Sequence, residues 1–249
     1  MANLPANPTA ALVVIGNEIL SGKTLDTNTP FLCGELRALG VELRRIVTLA
    51  DDLDAIGHTV RELAQQHTWV FTSGGIGPTH DDVTYAAIAQ GFGCPLEISP
   101  VLEAALKARN PQGLKPAHLH MARVPQGAEV FLPPGVTFPQ VRFRNVLILP
   151  GVPQLFRAKF SAMRHLFGGP AFCLREVFLQ AEEVPLAEGL RALAQAHPQV
   201  QIGSYPVSDQ AEYSLRLALE ARNDTALEAT TQALLAWLHG LGITPVKVA

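Results

Sequence analysis

Residues 71–84 read Phe71-Thr72-Ser73-Gly74-Gly75-Ile76-Gly77-Pro78-Thr79-His80-Asp81-Asp82-Val83-Thr84, and this run predicts both an α/β architecture and a binding site. The apolar residues from Trp69 to Thr72 are typical of a buried strand, and an apolar run with helical spacing follows the two aspartates. Glycines between a strand and a helix let backbone N–H groups approach an anion, which the N-terminal end of the helix also attracts. The run therefore predicts a phosphate-binding turn with two carboxylates beside it.

The segments around this run alternate between strand and helix patterns. Strands are expected at residues 10–15, 41–49, 69–72 and 141–149. Helices are expected from Pro30, with Thr29 as the cap, from Asp51 and Asp52, after Asp82, from Pro100 and over residues 154–166, whereas residues 115–122 are ambiguous. This alternation predicts a mostly parallel sheet covered by helices on both faces, a three-layer α/β domain over residues 1–169.

The second part of the chain has a different order of elements. Gly168-Gly169-Pro170 predicts a domain boundary. After it, strand patterns at residues 173–180, 200–205, 212–219 and 244–248 combine with helix patterns at 185–196 and 225–238. A β-α-β-β-α-β order predicts a small ferredoxin-like α+β domain over residues 170–249. This domain shows no recognisable catalytic set, so we expect it to serve in dimerisation or as a lid.

Composition excludes several classes of protein. With 249 residues, a net charge of -3 and no basic stripe, the chain is not expected to bind nucleic acid. Its three cysteines, Cys33, Cys94 and Cys173, are far apart and form no CxxC pair, which indicates a reducing compartment. Residues 1–9 lack the features of a signal peptide, and no apolar run reaches the length of a membrane span. We therefore expect a cytoplasmic protein that does not act at a membrane.

Polar residues follow several strands of the predicted sheet. Open α/β sheets bind ligands at the carboxyl ends of their strands, where the loops after residues 15, 49, 72 and 149 should meet. These loops bring four carboxylates to one edge, those of Glu18, Asp51, Asp81 and Asp82. Helix capping is an alternative role for Asp51 or Asp52 and for Asp81, but it would explain only one of the two adjacent aspartates. Asp82 is then the strongest functional candidate.

Three other motifs are weaker. Residues 16–24 read Gly-Asn-Glu-Ile-Leu-Ser-Gly-Lys-Thr, but five residues separate the glycines where a P-loop needs four, so a nucleoside triphosphatase is rejected. The pair His118 and His120 has no third ligand at a readable spacing, so a zinc site is not expected. No Gly-x-Ser-x-Gly elbow is present to indicate a serine hydrolase.

Three separated motifs, in order, resemble those of the CinA family. They are residues 15–22 with Asp26-Thr27-Asn28, residues 72–84, and Leu149-Pro150-Gly151-Val152-Pro153. The resemblance spans residues 10–166 and extends to the Mog and MoaB molybdopterin-binding proteins and to the N-terminal half of eukaryotic FAD synthase. Residues 121–125, 138–139 and 202–206 are most similar to the FAD synthase branch.

The resemblance implies a choice of activities. CinA-type members hydrolyse the pyrophosphate of ADP-ribose, the matching domain of FAD synthase hydrolyses FAD with a divalent metal, and Mog-type members adenylylate molybdopterin or only bind it. By motif alignment, the functional carboxylates of Mog proteins correspond to Asp51 and Asp82. Neither the amidase domain of CinA nor the adenylyltransferase half of FAD synthase has a counterpart in this sequence. Hydrolysis or binding is therefore expected, and deamidation or FAD synthesis is not.

The leading hypothesis is a metal-dependent pyrophosphatase acting on a dinucleotide such as ADP-ribose or FAD. The expected catalytic residues are Asp82, Asp81 and Asp51. A divalent ion such as Mg²⁺ would be held by Asp81, Asp82 and Glu18. The ligand would contact Gly74, Gly75, Gly77, Pro78, Thr79, Asn28 and Gly151. The alternatives are a non-catalytic molybdopterin- or nucleotide-binding protein and nucleotidyl transfer to molybdopterin, and a homo-oligomer, dimer or trimer, is expected because related proteins self-associate.

Overall fold

The computed structural model describes residues 7–208 and 212–249 of the chain. The chain divides into two compact units, residues 1–170 and 171–249. Residues 1–6 of the Pro- and Asn-rich N-terminus, for which no signal peptide is expected, lie outside the described residues. No helix in the described part of the chain is both long and apolar enough to cross a membrane.

A six-stranded sheet forms the centre of the first unit. The strands of this unit are β1 (Thr9–Ile15), β2 (Glu42–Leu49), β3 (Trp69–Ser73), β4 (Leu96–Ile98), β5 (Arg123–Pro125), β6 (Glu129–Phe131), β7 (Gln140–Phe143) and β8 (Val146–Leu149). The sheet has the order β2-β1-β3-β8-β7-β6, in which the first four strands are parallel to one another. β7 pairs antiparallel with both β8 and β6, so it alone runs in the opposite direction, and β4 and β5 form a separate antiparallel pair. The expected mostly parallel sheet is confirmed.

Helices cover both faces of this sheet. They are α1 (Asn17–Leu20), α2 (Asn28–Ala38), α3 (Leu53–Gln66), α4 (Thr84–Phe92), α5 (Pro100–Arg109), α6 (Pro116–Met121) and α7 (Pro153–Met163), which continues into a 3-10 turn, Arg164–Leu166. Alternate side chains of a strand point to opposite faces, so Val13 belongs to the core under α3 and α4, whereas Leu12 belongs to the core under α2 and α7. Two cores on one sheet confirm the three-layer architecture.

The second unit is the ferredoxin-like domain that the sequence predicts. Its elements are β9 (Cys173–Leu179), a 3-10 turn (Val184–Leu186), α8 (Ala187–Ala196), β10 (Gln201–Pro206), β11 (Leu215–Ala221), α9 (Asp224–Gly240) and β12 (Lys247–Val248). The strands form an antiparallel sheet of order β10-β11-β9-β12. Alternate residues of β11 are buried in one core with residues of α8 and α9. The small α+β fold is thereby confirmed.

The start of α2 differs from the prediction. The helix begins at Asn28 and not at Pro30, and Thr29 is not its cap. The Asp26 carboxylate accepts the backbone N–H groups of Asn28 and Thr29, both at 3.0 Å, and also the Thr29 hydroxyl. An aspartate that accepts these otherwise unpaired donors stabilises a helix start two residues earlier.

The prediction of a single strand over residues 141–149 is also wrong. The chain reverses at Arg144 and Asn145, so β7 and β8 are two antiparallel strands joined by a two-residue turn. Arg144 has φ 56, and its guanidinium lies 4.9 Å from the Phe92 ring centroid. The Asn145 amide donates to the carbonyls of Ala64 and His67, both at 2.9 Å. Arg-Asn lacks the glycine that usually signals such a turn, so the apolar pattern reads as one strand.

We predict that the contact between α3 and α4 tolerates only glycine at residue 57. A Cβ there would lie 2.4 Å from the Ala87 carbonyl oxygen. Gly57→Ala should lower the free energy of unfolding by about 1–3 kcal/mol because of this overlap. Gly34→Ala in α2 is the matched control, since its Cβ would meet nothing within 4 Å. It should raise the free energy of unfolding by about 0.5–1 kcal/mol, because alanine is favoured over glycine within a helix. Urea denaturation measures both, and equal stabilities of the two variants would contradict the prediction.

Candidate functional site

A cleft of about 690 Å³ lies at the carboxyl ends of β1, β3 and β8. The glycine turn after β3, the loop between β1 and α2, and the turn between β8 and α7 line it, together with residues of α5, α7 and the segment before β7. Ligands bind at this edge in open α/β sheets. Of the predicted site residues, the cleft is lined by Glu18, Asn28, Gly74, Gly75, Gly77, Asp82 and Gly151, and not by Asp51, Pro78, Thr79 or Asp81.

Gly74 completes the sheet at the start of the glycine turn. Its N–H donates to the Leu149 carbonyl at 3.1 Å, so this group is already engaged within the fold. Its φ is 111, and a Cβ would lie 2.2 Å from the Ile15 carbonyl oxygen. Only a glycine fits this backbone conformation at such a close approach. Gly74 therefore shapes the cleft, but its N–H is already paired and is not available to a ligand.

The residues after Gly74 in the glycine turn have backbone N–H groups that are not used within the fold. Thr84 fixes the turn, because its hydroxyl donates to the Gly74 carbonyl at 2.9 Å and its N–H donates to the Gly75 carbonyl at 2.9 Å. Within the described residues, no acceptor pairs with the N–H groups of Gly75, Ile76 or Gly77. Consecutive unpaired amides beside the N-terminus of α4 form a potential anion-binding turn, which begins one residue later than Gly74.

The Asp82 carboxylate is held at the rim of this turn. Its Oδ2 accepts the Thr79 N–H at 2.8 Å and also the Thr79 hydroxyl. Gly77 makes room for it, since a Cβ there would lie 2.7 Å from Oδ2. The Asp82 carbonyl accepts a hydrogen bond from His120 Nε2 at 3.0 Å, so that nitrogen carries a proton. Asp82 Oδ1 has no hydrogen-bond partner among the described residues and can receive a cation or donor.

Asp81 has a different environment from Asp82. Its side chain is exposed and does not line the cleft. The Thr79 hydroxyl, together with a backbone hydrogen bond, lowers the pKa of Asp81. That hydroxyl has a single proton, which it donates to Asp82, so it can serve only one of the two carboxylates at a time. The structure thus places one aspartate in the cleft and the other toward solvent.

The predicted Asp51 supports the loop that carries Glu18. Asp51 Oδ2 accepts the Asn17 N–H at 2.9 Å, at the start of α1. Asp52 caps α3, because its Oδ1 accepts the Ala55 N–H at 2.7 Å. Glu18 itself lines the cleft, and its carboxylate lies over Gly16, where a Cβ would be 2.6 Å from Oε1. Asp51 therefore contacts the backbone beside Glu18, and Glu18 is the residue that reaches the ligand space.

The predicted trio of metal ligands is not brought together. Among the described residues, no group of three or more His, Cys, Asp or Glu side chains is arranged to hold a metal ion. Glu18 and Asp82 line the same cleft, whereas Asp81 does not join them. Mg²⁺ is commonly held by one or two carboxylates together with substrate phosphates. The donor set fits an ion that binds with a phosphate ligand, and not a preformed site of three protein carboxylates.

Asn28 connects the three loops that form the cleft. It is only 4% exposed, and its amide donates to Ser73 Oγ at 2.9 Å and to the Gly151 carbonyl at 2.8 Å. Both amide protons are thus used, while Oδ1 is buried with no partner among the described residues. This side chain joins the loop after β1 to the loops after β3 and β8. Its role is to hold the walls of the cleft in place.

A buried lysine on α7 is part of the cleft that the sequence did not single out. Lys159 is 6% exposed, and its ammonium donates to the Pro139 carbonyl and to Gln140 Oε1 at 3.3 Å. Burial, with the charge of Arg109 as a further cause, lowers the pKa of Lys159 to about 8. The available sequence signal was a lysine on a helix face whose other residues, Phe156 and Phe160, are apolar.

Arg109 on α5 adds a second positive charge to this wall. Its guanidinium donates to Thr137 Oγ1 at 2.8 Å and lies 4.8 Å from the Phe138 ring centroid. Tyr85 also lines the cleft, and burial raises its pKa, so its phenol stays neutral. The sequence hypothesis missed Arg109 and Phe138 because α5 and the segment before β7 meet the glycine turn only in the folded chain.

Comparisons with known proteins agree with this architecture. Residues 11–166 match the family described as "Probable molybdopterin binding domain", and residues 171–247 match "FAD synthase, middle domain". A "Probable FAD synthase" of Caenorhabditis elegans is 32% identical over 95% of this chain and 51% of its own length. A protein of Aeropyrum pernix is 33% identical over 92% of this chain and 91% of its own length. The chain thus spans about half of its nematode relative.

The solved structures give the same result for the first unit. The crystal structure of CinA from Thermoplasma acidophilum, described as a protein of unknown function, has a TM-score of 0.59 and 34% sequence identity to this chain. The likeness covers 65% of this chain and 98% of that protein. With the family matches, it confirms the resemblance to CinA proteins and to FAD synthase that the motifs indicate.

We predict that the amide of Asn28 is essential for joining the three loops. Asn28→Asp keeps the shape of the side chain but removes both donated hydrogen bonds, so it should lower the free energy of unfolding by about 2–3 kcal/mol at pH 7. Asn110→Asp is the matched control, because the Asn110 amide donates only to the Leu106 carbonyl in a half-buried position. Denaturant titration compares the two variants, and equal losses in the free energy of unfolding would contradict the role of Asn28 in joining the loops.

Proposed function

Because the chain belongs to the molybdopterin-binding domain family, with a second unit of the FAD synthase middle-domain family, we propose that its cleft binds a nucleotide diphosphate derivative and hydrolyses the pyrophosphate bond with a divalent metal. FAD and ADP-ribose are the two substrates proposed. One observation carries the proposal: the carboxylates of Glu18 and Asp82 line the same cleft as the unpaired amides of Gly75, Ile76 and Gly77. Carboxylates repel a bound phosphate unless a cation lies between them.

The backbone would supply the contacts to one phosphate. The N–H groups of the turn from Gly75 to Gly77 and the N-terminus of α4 both favour an anion. Thr84 holds this turn by hydrogen bonds to Gly74 and Gly75, so the amides need little rearrangement on binding. A turn built from backbone recognises the phosphate and leaves the identity of the attached groups to the rest of the cleft.

The two carboxylates of the cleft are the groups that would hold the metal. The fold keeps each in place, since Thr79 fixes Oδ2 of Asp82 and Asp51 fixes the backbone beside Glu18. A bound divalent ion supplies positive charge to the phosphate oxygens and a water with a lowered pKa. Asp81, outside the cleft, contributes only to the charge of the rim in this proposal.

Binding without turnover is the second candidate. It is favoured by the engagement of Asp82, whose Oδ2 already accepts two hydrogen bonds from Thr79, and by the lack of a three-ligand metal group in the described ranges. The ligand would then be a pterin phosphate, as the family description suggests, or a nucleotide. Nucleotidyl transfer to molybdopterin is a further alternative, and it requires product formation that depends on ATP.

We predict that the purified protein releases AMP from FAD or ADP-ribose only when a divalent metal is present. Asp82→Asn and Glu18→Gln should each lower this rate by about a hundredfold or more, because they remove a charge that would hold the metal. Asp52→Asn is the control, since Asp52 only caps α3 and asparagine caps a helix equally well. Chromatography of the products measures the rates.

The outcomes separate the two candidates. If neither substrate yields AMP with Mg²⁺ or Mn²⁺, while calorimetry shows tight binding, the protein is a binding module. If Asp82→Asn keeps the full rate, the role of Asp82 is wrong even though hydrolysis stands.

A further inference from the structure

Lys159 is a buried cation that has no anionic partner among the described residues. Its ammonium contacts two neutral oxygens, the Pro139 carbonyl and Gln140 Oε1, and no carboxylate of the described residues forms an ion pair with it. Glu35, on the neighbouring helix α2, pairs with Arg164 at 3.1 Å. A charge that is removed from water without a counter-ion destabilises the fold, so its presence at a cleft calls for a functional explanation.

The orientation of Lys159 is fixed by a hydrogen-bond network. Gln140 is fully buried, and its amide donates to the carbonyls of Val141 and Ile148 at 2.7 and 2.8 Å. This leaves Gln140 Oε1 to accept from the lysine. An ammonium has three N–H groups, and only two are paired within the described residues. One donor on a rigid support remains for a ligand in the cleft.

Arg109 strengthens the positive field at the same wall. Its guanidinium interacts with Thr137 and with the face of Phe138, and the ring of Phe138 also lies 5.7 Å from Lys159 Nζ. Two cations that share one aromatic ring repel each other, which is tolerable when an anion binds between or beside them. Both residues line the cleft that contains the glycine turn.

We propose that Lys159, supported by Arg109, forms a second anion-binding subsite of the cleft, which binds phosphate oxygens through side-chain charge while the glycine turn binds them through backbone amides. The proposal rests on the proposed function only in placing a phosphate ligand in this cleft. It narrows the ligand class to compounds with more negative charge than one backbone turn can neutralise, such as diphosphate diesters. It requires neither a metal nor a reaction.

A pH dependence of binding follows from the charge of Lys159. In the ligand-free protein, burial lowers the pKa of Lys159 to about 8, and a bound anion would raise this pKa. Binding is therefore strongest below pH 8, where Lys159 is already protonated, and weakens as the pH rises above it. The other charged or titratable groups that line the same cleft are Glu18, Asp26, Asp82, Tyr85 and Arg109. Burial raises the pKa of Tyr85, so its phenol stays neutral over this range.

We predict that the protein binds ADP-ribose about tenfold more weakly at pH 9 than at pH 7, measured by calorimetry in metal-free buffer with a chelator. ADP-ribose has no phosphate group that titrates in this range. Lys159→Met should lower the affinity at pH 7 by about tenfold or more, as expected for a charged hydrogen bond, and should remove the pH dependence. Lys107→Met is the control, because exposed Lys107 pairs with Glu103 at 2.8 Å.

Three results would contradict the proposal of a Lys159 subsite. They are the absence of ADP-ribose binding to the native protein, an affinity that does not change from pH 7 to pH 9, or a Lys159→Met variant that binds as tightly as the native protein. The pH profile of the native protein needs no variant, so the test holds even if Lys159→Met does not fold. Metal-dependent release of AMP is measured separately, so hydrolysis can persist when this inference fails, and binding can persist when hydrolysis is absent.

Discussion

Gly74 is the point at which the three central strands of the first unit meet. Its N–H bonds the last residue of β8, its Cα faces Gly151, and a side chain there would collide with the end of β1. The missing Cβ allows the loops after β1, β3 and β8 to close around one cleft. The cleft, its depth and the direction of the amides beyond Gly74 all depend on this close backbone contact.

Opposite charges are distributed over different walls of the cleft. Glu18 and Asp82 lie on the loops after β1 and β3, while Lys159 and Arg109 come from α7 and α5. An arrangement of this kind suits a ligand whose phosphates contact amides and ammonium groups directly and reach the carboxylates through a cation. The same arrangement separates recognition of phosphate charge from the acidic groups proposed for hydrolysis.

The pattern of strands and helices was predictable because each long segment has a clear hydrophobic period. The predictions were wrong at two places where a local contact or turn, and not the hydrophobic period, decides where an element begins or ends. Asp26 moves the start of α2, and the Arg144-Asn145 turn divides one apolar run into two strands. The predicted glycine turn lines the cleft, yet Gly74 uses its N–H within the sheet, and Asp81 is exposed and does not line the cleft. The sequence favoured Asp82 over Asp81, but that Asp81 lies outside the cleft is decided by the fold, in which Asp82 accepts the N–H and the hydroxyl of Thr79.

The amino-acid sequence was sufficient for the α/β and ferredoxin-like units, the family resemblance and the edge of the sheet where ligands would bind. These follow from periodicity, from glycine at a strand end and from the order of three motifs, all of which are local properties of the chain. Folding was required to bring Lys159 and Arg109 to the same cleft as the glycine turn and to separate Asp51 and Asp81 from it. The physical reason is that burial, hydrogen-bond pairing and the field of distant charges depend on contacts between segments that are far apart in the chain.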